Sequence, residues 1–358
     1  MKCIKCGTDS KYSERRNGKC KQCGAAFAFE PQRGDWFTDR AFQAAINAVS
    51  AHSRLRWGVE HLYYEICRRA RRRHLAGAKW LVLGLGLLVI SGIASAITSR
   101  PIWIAGAAAG SVGLALFLYH LFAPTVRINP AKFDALYTKW IKAHGLPKGV
   151  IVRQPAPPVL RAKEPDLGDY SFDRAVICDR ARTVDLLLAN HFHFENNCAV
   201  LSYEGYPPGP FEMVRTMLKR NPRLQVFALH DATRDGCRLA YQLANDPAWF
   251  KDQARVTDVG LRPGQARPFR GLLLRAPARV LAGDGVTAQE ADWLSRHLLE
   301  LAAIRPEQVL KRLFRAINRK LDREKKSGSD GDGGAGVEFE SDSFKSDAGD
   351  ADGGDGFG

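Results

Sequence analysis

Apolar and polar positions change rhythm along the chain, and each rhythm predicts a different element. From Asp35 to Arg73 the spacing is helical. Phe37, Phe42, Ala45, Ile46 and Val49 share one face, His52 and Ser53 interrupt it, and Leu55, Val59, Leu62, Tyr63 and Ile66 resume it. Two short helices packed on each other are expected. Next come two runs that are apolar on every side, Trp80 to Thr98 and Ile102 to Phe122, separated only by Ser99, Arg100 and Pro101. Each has about 20 residues, enough for a helix to cross roughly 30 Å of hydrocarbon, so a two-helix transmembrane hairpin over 80–122 is predicted. Gly106 and Gly110 form a GxxxG pair continued by Gly113, and Gly92 with Ala96 offers the facing small side. After a Pro-rich linker at 147–158 the rhythm becomes short apolar strands alternating with amphipathic helices. Strands are expected at Arg174–Cys178, Cys198–Tyr203, Leu224–Leu229 and Arg255–Val259. Helices are expected from Thr183, Phe211, Asp235, Thr287 (to Leu301) and Glu307 (to Lys325). Such alternation implies βαβ crossovers and a parallel sheet covered on both faces, an α/β domain over 130–325.

Charge adds orientation and two further segments. Arg68, Arg69, Arg71, Arg72, Arg73 and Lys79 precede the hairpin, Arg127, Lys132, Lys139 and Lys142 follow it, and its loop carries only Arg100. The positive-inside rule then predicts a multi-pass protein of the inner (cytoplasmic) membrane with both termini in the cytoplasm and membrane lipid as a partner. Neither run contains Asp, Glu, Lys or Arg, so the hairpin reads as an anchor rather than an ion pathway. Residues 327–358 hold nine acids, one lysine and ten glycines, a composition that cannot bury enough surface to fold and predicts a disordered acidic tail. Net charge is +15, so the remaining 326 residues carry +23. Residues 1–79 alone hold 17 Lys or Arg against 7 acids. Topology, anionic headgroups and nucleic acid each account for that excess, and a homo-oligomer also stays open.

The sharpest local motif is Cys3-x-x-Cys6-Gly7 with Cys20-x-x-Cys23-Gly24. Each CxxC turn sets two thiolates on one side of a tight loop, the following glycine lets the backbone curl round an ion, and two such loops complete a tetrahedron. Residues 1–29 resemble a zinc ribbon, which implies one structural zinc held by all four cysteines with no open position for catalysis. Disulfides and a redox CxxC are the alternatives. Zinc ribbons hold proteins or nucleic acids, so a partner of either kind is expected through the ribbon and the basic helical segment 35–79. Cys67, Cys178, Cys198 and Cys237 have no ligand spacing and read as buried thiols.

In a parallel sheet, ligands collect outside the carboxyl ends of the strands. Those ends carry Asp179, Glu204 and His230-Asp231, with Asp235 close behind, a candidate set for Mg²⁺ and phosphate chemistry. The same acids also read as helix caps. The segments VICDRARTVDLLLA and LHDATRDGCRLAYQLA are similar to the two signature regions of Toprim domains. That resemblance implies a Rossmann-like fold and a Mg²⁺ site in which Asp179 takes the place of the family's glutamate, Asp231 and Thr233 those of its two aspartates, and Gly236 that of its glycine. Two departures matter: Asp179 is shorter than glutamate, and Thr233 brings no carboxylate, which leaves the field on such an ion weaker by one negative charge. Tyr63-Tyr64 resembles the paired tyrosines of type IIB topoisomerases, but the segment shows no base, metal ligand or oriented phosphate for a tyrosine nucleophile, so aromatic packing is the expected role. Two functions follow as alternatives: a membrane-anchored, zinc-binding, non-enzymatic binding or regulatory module, or a Mg²⁺-dependent Toprim-like phosphoryl-transfer enzyme on nucleic acid with Asp179, Asp231, Glu204 and Asp235 as candidate catalytic residues.

Overall fold

A computed structural model describes residues 1–15, 17–35, 37–75, 128–152, 172–251, 255–326 and 337–339, with six single positions between 86 and 115. Two CxxC loops open the chain, each closed by one antiparallel bridge, Lys2 to Asp9 and Lys19 to Ala26. Helix α1 (Asp39–Val49) starts at Thr38, whose hydroxyl accepts from the Ala41 N–H at 3.3 Å, and buries Phe42, Ala45, Ile46 and Val49. The expected break follows it: Ala51, His52 and Ser53 all adopt the left-handed conformation before α2 (Val59–Leu75). Helix α3 (Pro130–His144) is entered through Asn129, which caps the Ala131 N–H at 3.0 Å. Asp39, fully buried, ties these pieces together. It accepts from the Ala28 and Phe29 N–H groups at 3.0 Å each, and its carboxylate lies 2.6 Å from His144 Nε2.

The α/β body then runs β1 (Arg174–Cys178), α4 (Ala181–Ala189), the short α5 (Phe192–Glu195), β2 (Cys198–Ser202), α6 (Phe211–Arg220), β3 (Gln225–Leu229), α7 (Arg234–Asn245) and β4 (Arg255–Asp258). A 3₁₀ stretch, Pro263–Leu272, leads into β5 (Leu274–Arg275), α8 (Ala288–Leu294), β6 (His297–Leu298), a second 3₁₀ turn at Leu301–Ala303, α9 (Pro306–Lys326) and β7 (Val337–Phe339). The main sheet is parallel, as the strand rhythm predicts, with its strands in the order β2-β1-β3-β4-β7, and β5 pairs with β6 separately. Alternate strand residues serve two cores. Val176, Cys178, Val200, Phe227 and Leu229 belong to a core shared with α2, α4 and α9, whereas Ala175, Ile177, Leu201, Val226 and Val256 belong to one shared with α6 and α7. The first of these cores runs unbroken from Phe29 through Trp57, Leu62, Ile66 and Trp140 to Ile317, so the 35–79 segment and the 130–325 domain are built round shared apolar contacts.

Several expectations change. Among the described residues no helix is long and apolar enough to cross a membrane. This overturns the multi-pass inner-membrane placement with both termini cytoplasmic, and with it the transmembrane element of the expected fold: a span needs about 20 apolar residues in one helix, and no described element supplies them. The 80–122 hairpin itself falls outside the described residues apart from the single positions. The helix expected over 287–301 stops at Leu294, because His297 and Leu298 pair as a strand with Arg275 and Leu274 instead of continuing the helix. Within the acidic tail, Val337–Phe339 pairs in parallel with β4, from Val256–Val337 to Asp258–Phe339; the other tail residues fall outside the described residues.

Candidate functional site

Two places gather reactive side chains. The first is the N-terminal cysteine cluster, where the sulfurs of Cys3, Cys6, Cys20 and Cys23 all lie within 4.8 Å of one another. The loops that carry them are near copies. Gly7 N–H bonds the Cys3 carbonyl and Gly24 N–H that of Cys20, each at 3.0 Å, and both glycines take the positive φ this curl demands (74° and 69°). Cys3 and Cys23 sulfurs stand 3.6 Å apart, as do those of Cys6 and Cys20. A tetrahedral ion with metal–sulfur bonds of about 2.3 Å requires sulfurs about 3.8 Å apart, so the cluster fits one. Its protonation is uneven: the Thr8 hydroxyl and N–H draw the Cys6 thiol down to about 6, whereas Cys23, despite a backbone bond from Ala25, is pushed up to about 11 by desolvation and by its cysteine neighbours. Four sulfurs this close share negative charge poorly without a cation between them.

The second place is the carboxyl edge of the sheet. The order β2-β1-β3 reverses direction at β1 and β3, so the crevice expected at that switch point opens between the ends of these two strands. Asp179 follows β1 and His230-Asp231 follows β3, and parallel pairing of Cys178 with Leu229 brings them side by side. Asp179 Oδ2 accepts the Asp231 N–H at 2.9 Å, while its Oδ1 is shut off from solvent with no hydrogen-bond partner. Asp231, almost fully buried, accepts the Leu301 N–H at 2.6 Å on Oδ1 and Arg182 Nη2 at 3.1 Å on Oδ2. Burial, reinforced by the Asp231 charge, pushes the Asp179 carboxyl up to about 7. Burial raises Asp231 too, against the pull of Arg182 and the Leu301 N–H.

The crevice between them is filled by the chain itself. Leu299 and Ala232 exchange both backbone hydrogen bonds (2.8 and 3.1 Å), which seats the turn Leu301–Ala303 on Asp231. Glu300 then receives the Tyr64 hydroxyl at 2.9 Å and lies 3.2 Å from Arg182. Tyr64 is a buried packing residue, edge-on to Tyr63, and desolvation first, then Glu300, pushes its phenol above the usual range. Thr233 is occupied as the cap of α7, accepting from the Gly236 N–H at 3.1 Å. Gly236 is required by space: a Cβ there would lie 2.4 Å from the Asp231 carbonyl oxygen. Glu204 and Asp235 are both exposed. Among the described residues the cysteine cluster is the one group of three or more His, Cys, Asp or Glu side chains gathered closely enough to hold a metal. Asp179 and Asp231 are therefore brought together, and Glu204 and Asp235 do not join them in such a group.

Beside this edge lies a buried network that the sequence reading did not assemble. His230 Nδ1 stands 2.8 Å from the Asp231 carbonyl oxygen and Nε2 2.9 Å from Asp258 Oδ1. Both neighbours are acceptors, an arrangement that favours a proton on each ring nitrogen. Burial alone would strip that proton, but the Asp258 carboxylate outweighs it and holds His230 above its ordinary range. Asp258 also accepts the Gly260 N–H at 3.0 Å and Arg262 Nη2 at 2.6 Å. Although desolvation opposes ionisation, His230 and then Arg262 bring the Asp258 carboxyl down to about 2. The missed signal was the spacing of Asp258 from Arg262, an i, i+4 pair directly after a strand end. No family model, curated protein or solved structure matches this chain.

Proposed function

We propose that the chain is a non-catalytic binding module, a four-cysteine zinc ribbon joined to a parallel α/β body, which engages a protein or nucleic-acid partner through the ribbon and the basic segment 35–79. The observation that carries this reading is the filled crevice. At the switch point, where an enzyme of this architecture keeps room for substrate, Leu299 to Ala303 occupy the space and their N–H groups and Glu300 consume Asp231, Arg182 and Tyr64. Zinc suits the cysteine cluster because four sulfurs at tetrahedral spacing match a closed structural site. Bound there, the ion supplies folding free energy to a segment with little core of its own, and with four sulfur ligands it keeps no position open for water or substrate.

One observation favours a second reading, Mg²⁺-dependent phosphoryl transfer of the Toprim type: the unpartnered Asp179 Oδ1 beside Asp231. The two readings separate in one assay. The full chain, in excess over labelled single-stranded and duplex oligonucleotides with Mg²⁺ or Mn²⁺, is expected to leave them intact. Cleavage that disappears in Asp179→Asn and in Asp231→Asn would overturn the non-catalytic reading and establish the second.

A further inference from the structure

Between Val259 and Gly283 the chain has five arginines, Arg262, Arg267, Arg270, Arg275 and Arg279, and no lysine, aspartate or glutamate. The structure folds this stretch along a groove of about 730 Å³ between the 3₁₀ segment Pro263–Leu272 and helix α8. Arg262, Arg267, Arg270 and Arg296 line it together with Trp293 and His297. A second hollow of about 330 Å³, lined by Arg275, Arg279 and Arg296, continues from it through the shared Arg296. Two of these guanidinium groups are committed, Arg262 to Asp258 and Arg296 to Asp292. Arg267, Arg270, Arg275 and Arg279 have no carboxylate within ion-pairing distance among the described residues, and all four are exposed.

Exclusive use of arginine favours planar, forked recognition of phosphate over a diffuse lysine field. The spread over two joined hollows exceeds what a single phosphate needs and suits successive phosphates of one strand. Trp293, half-buried in the groove wall and backed by the His297 ring at 5.5 Å and 39°, supplies an apolar face on which an unstacked base can lie. A duplex keeps its bases stacked and offers none to such a face, whereas single strands do. We propose that this groove binds single-stranded nucleic acid, with Arg267 and Arg270 on backbone phosphates, Arg275 and Arg279 continuing the track, and Trp293 beneath a base. The site goes beyond the function proposed above and stands whether the zinc ribbon engages protein or nucleic acid.

The test is fluorescence anisotropy of the full chain, prepared with zinc, against a labelled oligothymidylate at several salt concentrations. Expected for Arg267→Gln/Arg270→Gln is a loss of affinity of tenfold or more. The slope of log K against log salt should fall by about 1.4, the share of two phosphate contacts to a single strand. The pair Arg220→Gln/Arg223→Gln removes the same charge from the exposed end of α6 and the turn after it, and should leave both quantities near wild type. Trp293→Ala should weaken binding about fivefold or more while leaving the salt slope unchanged, and Trp293→Tyr should restore most of that loss. Equal losses in the two arginine pairs, a preference for duplex or for polyglutamate over the oligothymidylate, or no binding by the wild-type chain would each overturn the proposal. None of these outcomes bears on catalysis, so the groove and the non-catalytic reading fail separately.

Discussion

Replacing Asp179 by asparagine should stabilise the protein, and the gain should depend on pH. In the folded chain the carboxyl of Asp179 is held at about 7 against an ordinary value of 3.8, because it is buried beside Asp231 with one donor and a bare Oδ1. The sign follows from linkage. A group whose folded value is raised contributes stability that is complete below about pH 4 and is lost as pH rises through about 7. Three pH units at about 1.4 kcal/mol each set the full penalty near 4 kcal/mol, of which about 3 kcal/mol accrues between pH 5 and pH 8. Asparagine keeps the oxygen that accepts the Asp231 N–H and carries no charge, but it puts an amide NH₂ where Oδ1 has no partner, a cost of about 1–3 kcal/mol. The balance favours the variant by roughly 1–3 kcal/mol at pH 8 and brings it close to or below wild type at pH 5. Equilibrium urea unfolding at the two pH values measures it, with equal m-values as the check that the same transition is compared. A stability difference that is the same at pH 5 and pH 8, or an asparagine variant less stable than wild type at pH 8, would refute the burial argument. Stabilisation of wild type alone by millimolar Mg²⁺ at pH 8 would instead show a cation satisfying Oδ1.

Other perturbations probe the neighbouring parts. Asp258→Asn leaves the buried His230 ring without its anion and takes from the half-buried Arg262 the closer of its two carboxylates, and should cost about 3–5 kcal/mol in urea unfolding. In wild type the Asp258 contribution is present above about pH 4 and is lost as pH falls towards about 2. The His230 contribution is complete below about pH 6.5 and declines as pH rises through its higher folded value, so the variant's deficit should shrink at alkaline pH. Gly260→Ala would put a Cβ 2.2 Å from His230 Cδ2, and the enforced shift of a fully buried ring should destabilise by about 3 kcal/mol, read as a lower urea midpoint. Cys20→Ser should abolish stoichiometric zinc retention on gel filtration and melt the amide signals of residues 1–29. The strand amides around Val176 and Phe227 should keep their exchange protection; full zinc retention by the variant would contradict the closed site.

What the sequence disclosed depended on how local the cause was. Both CxxC loops were legible because spacing and a following glycine determine the turn, and Gly7 and Gly24 take the expected positive φ. The four core strands were legible because residues such as Val176 and Ile177 are buried on opposite faces, leaving an unbroken apolar run. That Asp179 and Asp231 lie at one edge was legible from the parallel strands, but their side-by-side placement needed the strand order, which sets β1 next to β3. The filling of the crevice was not legible, since Leu299 meets Ala232 across 67 positions through backbone bonds that any side chains permit. Helix α8 is shorter than its pattern suggests because the Thr287–Glu290 capping box marks its start, while its end depends on His297 and Leu298 pairing with the distant Leu274–Arg275 strand. The membrane placement rested on counting apolar residues, and no described helix meets that length.

The most direct test is a Mn²⁺ titration of the zinc-loaded full chain followed by the electron paramagnetic resonance of the free ion. A carboxyl edge locked by Leu301, Arg182 and Glu300 should leave the Mn²⁺ signal at its protein-free amplitude through one added equivalent. Loss of one equivalent of signal in wild type, restored in Asp179→Asn and displaced by Mg²⁺, would contradict it.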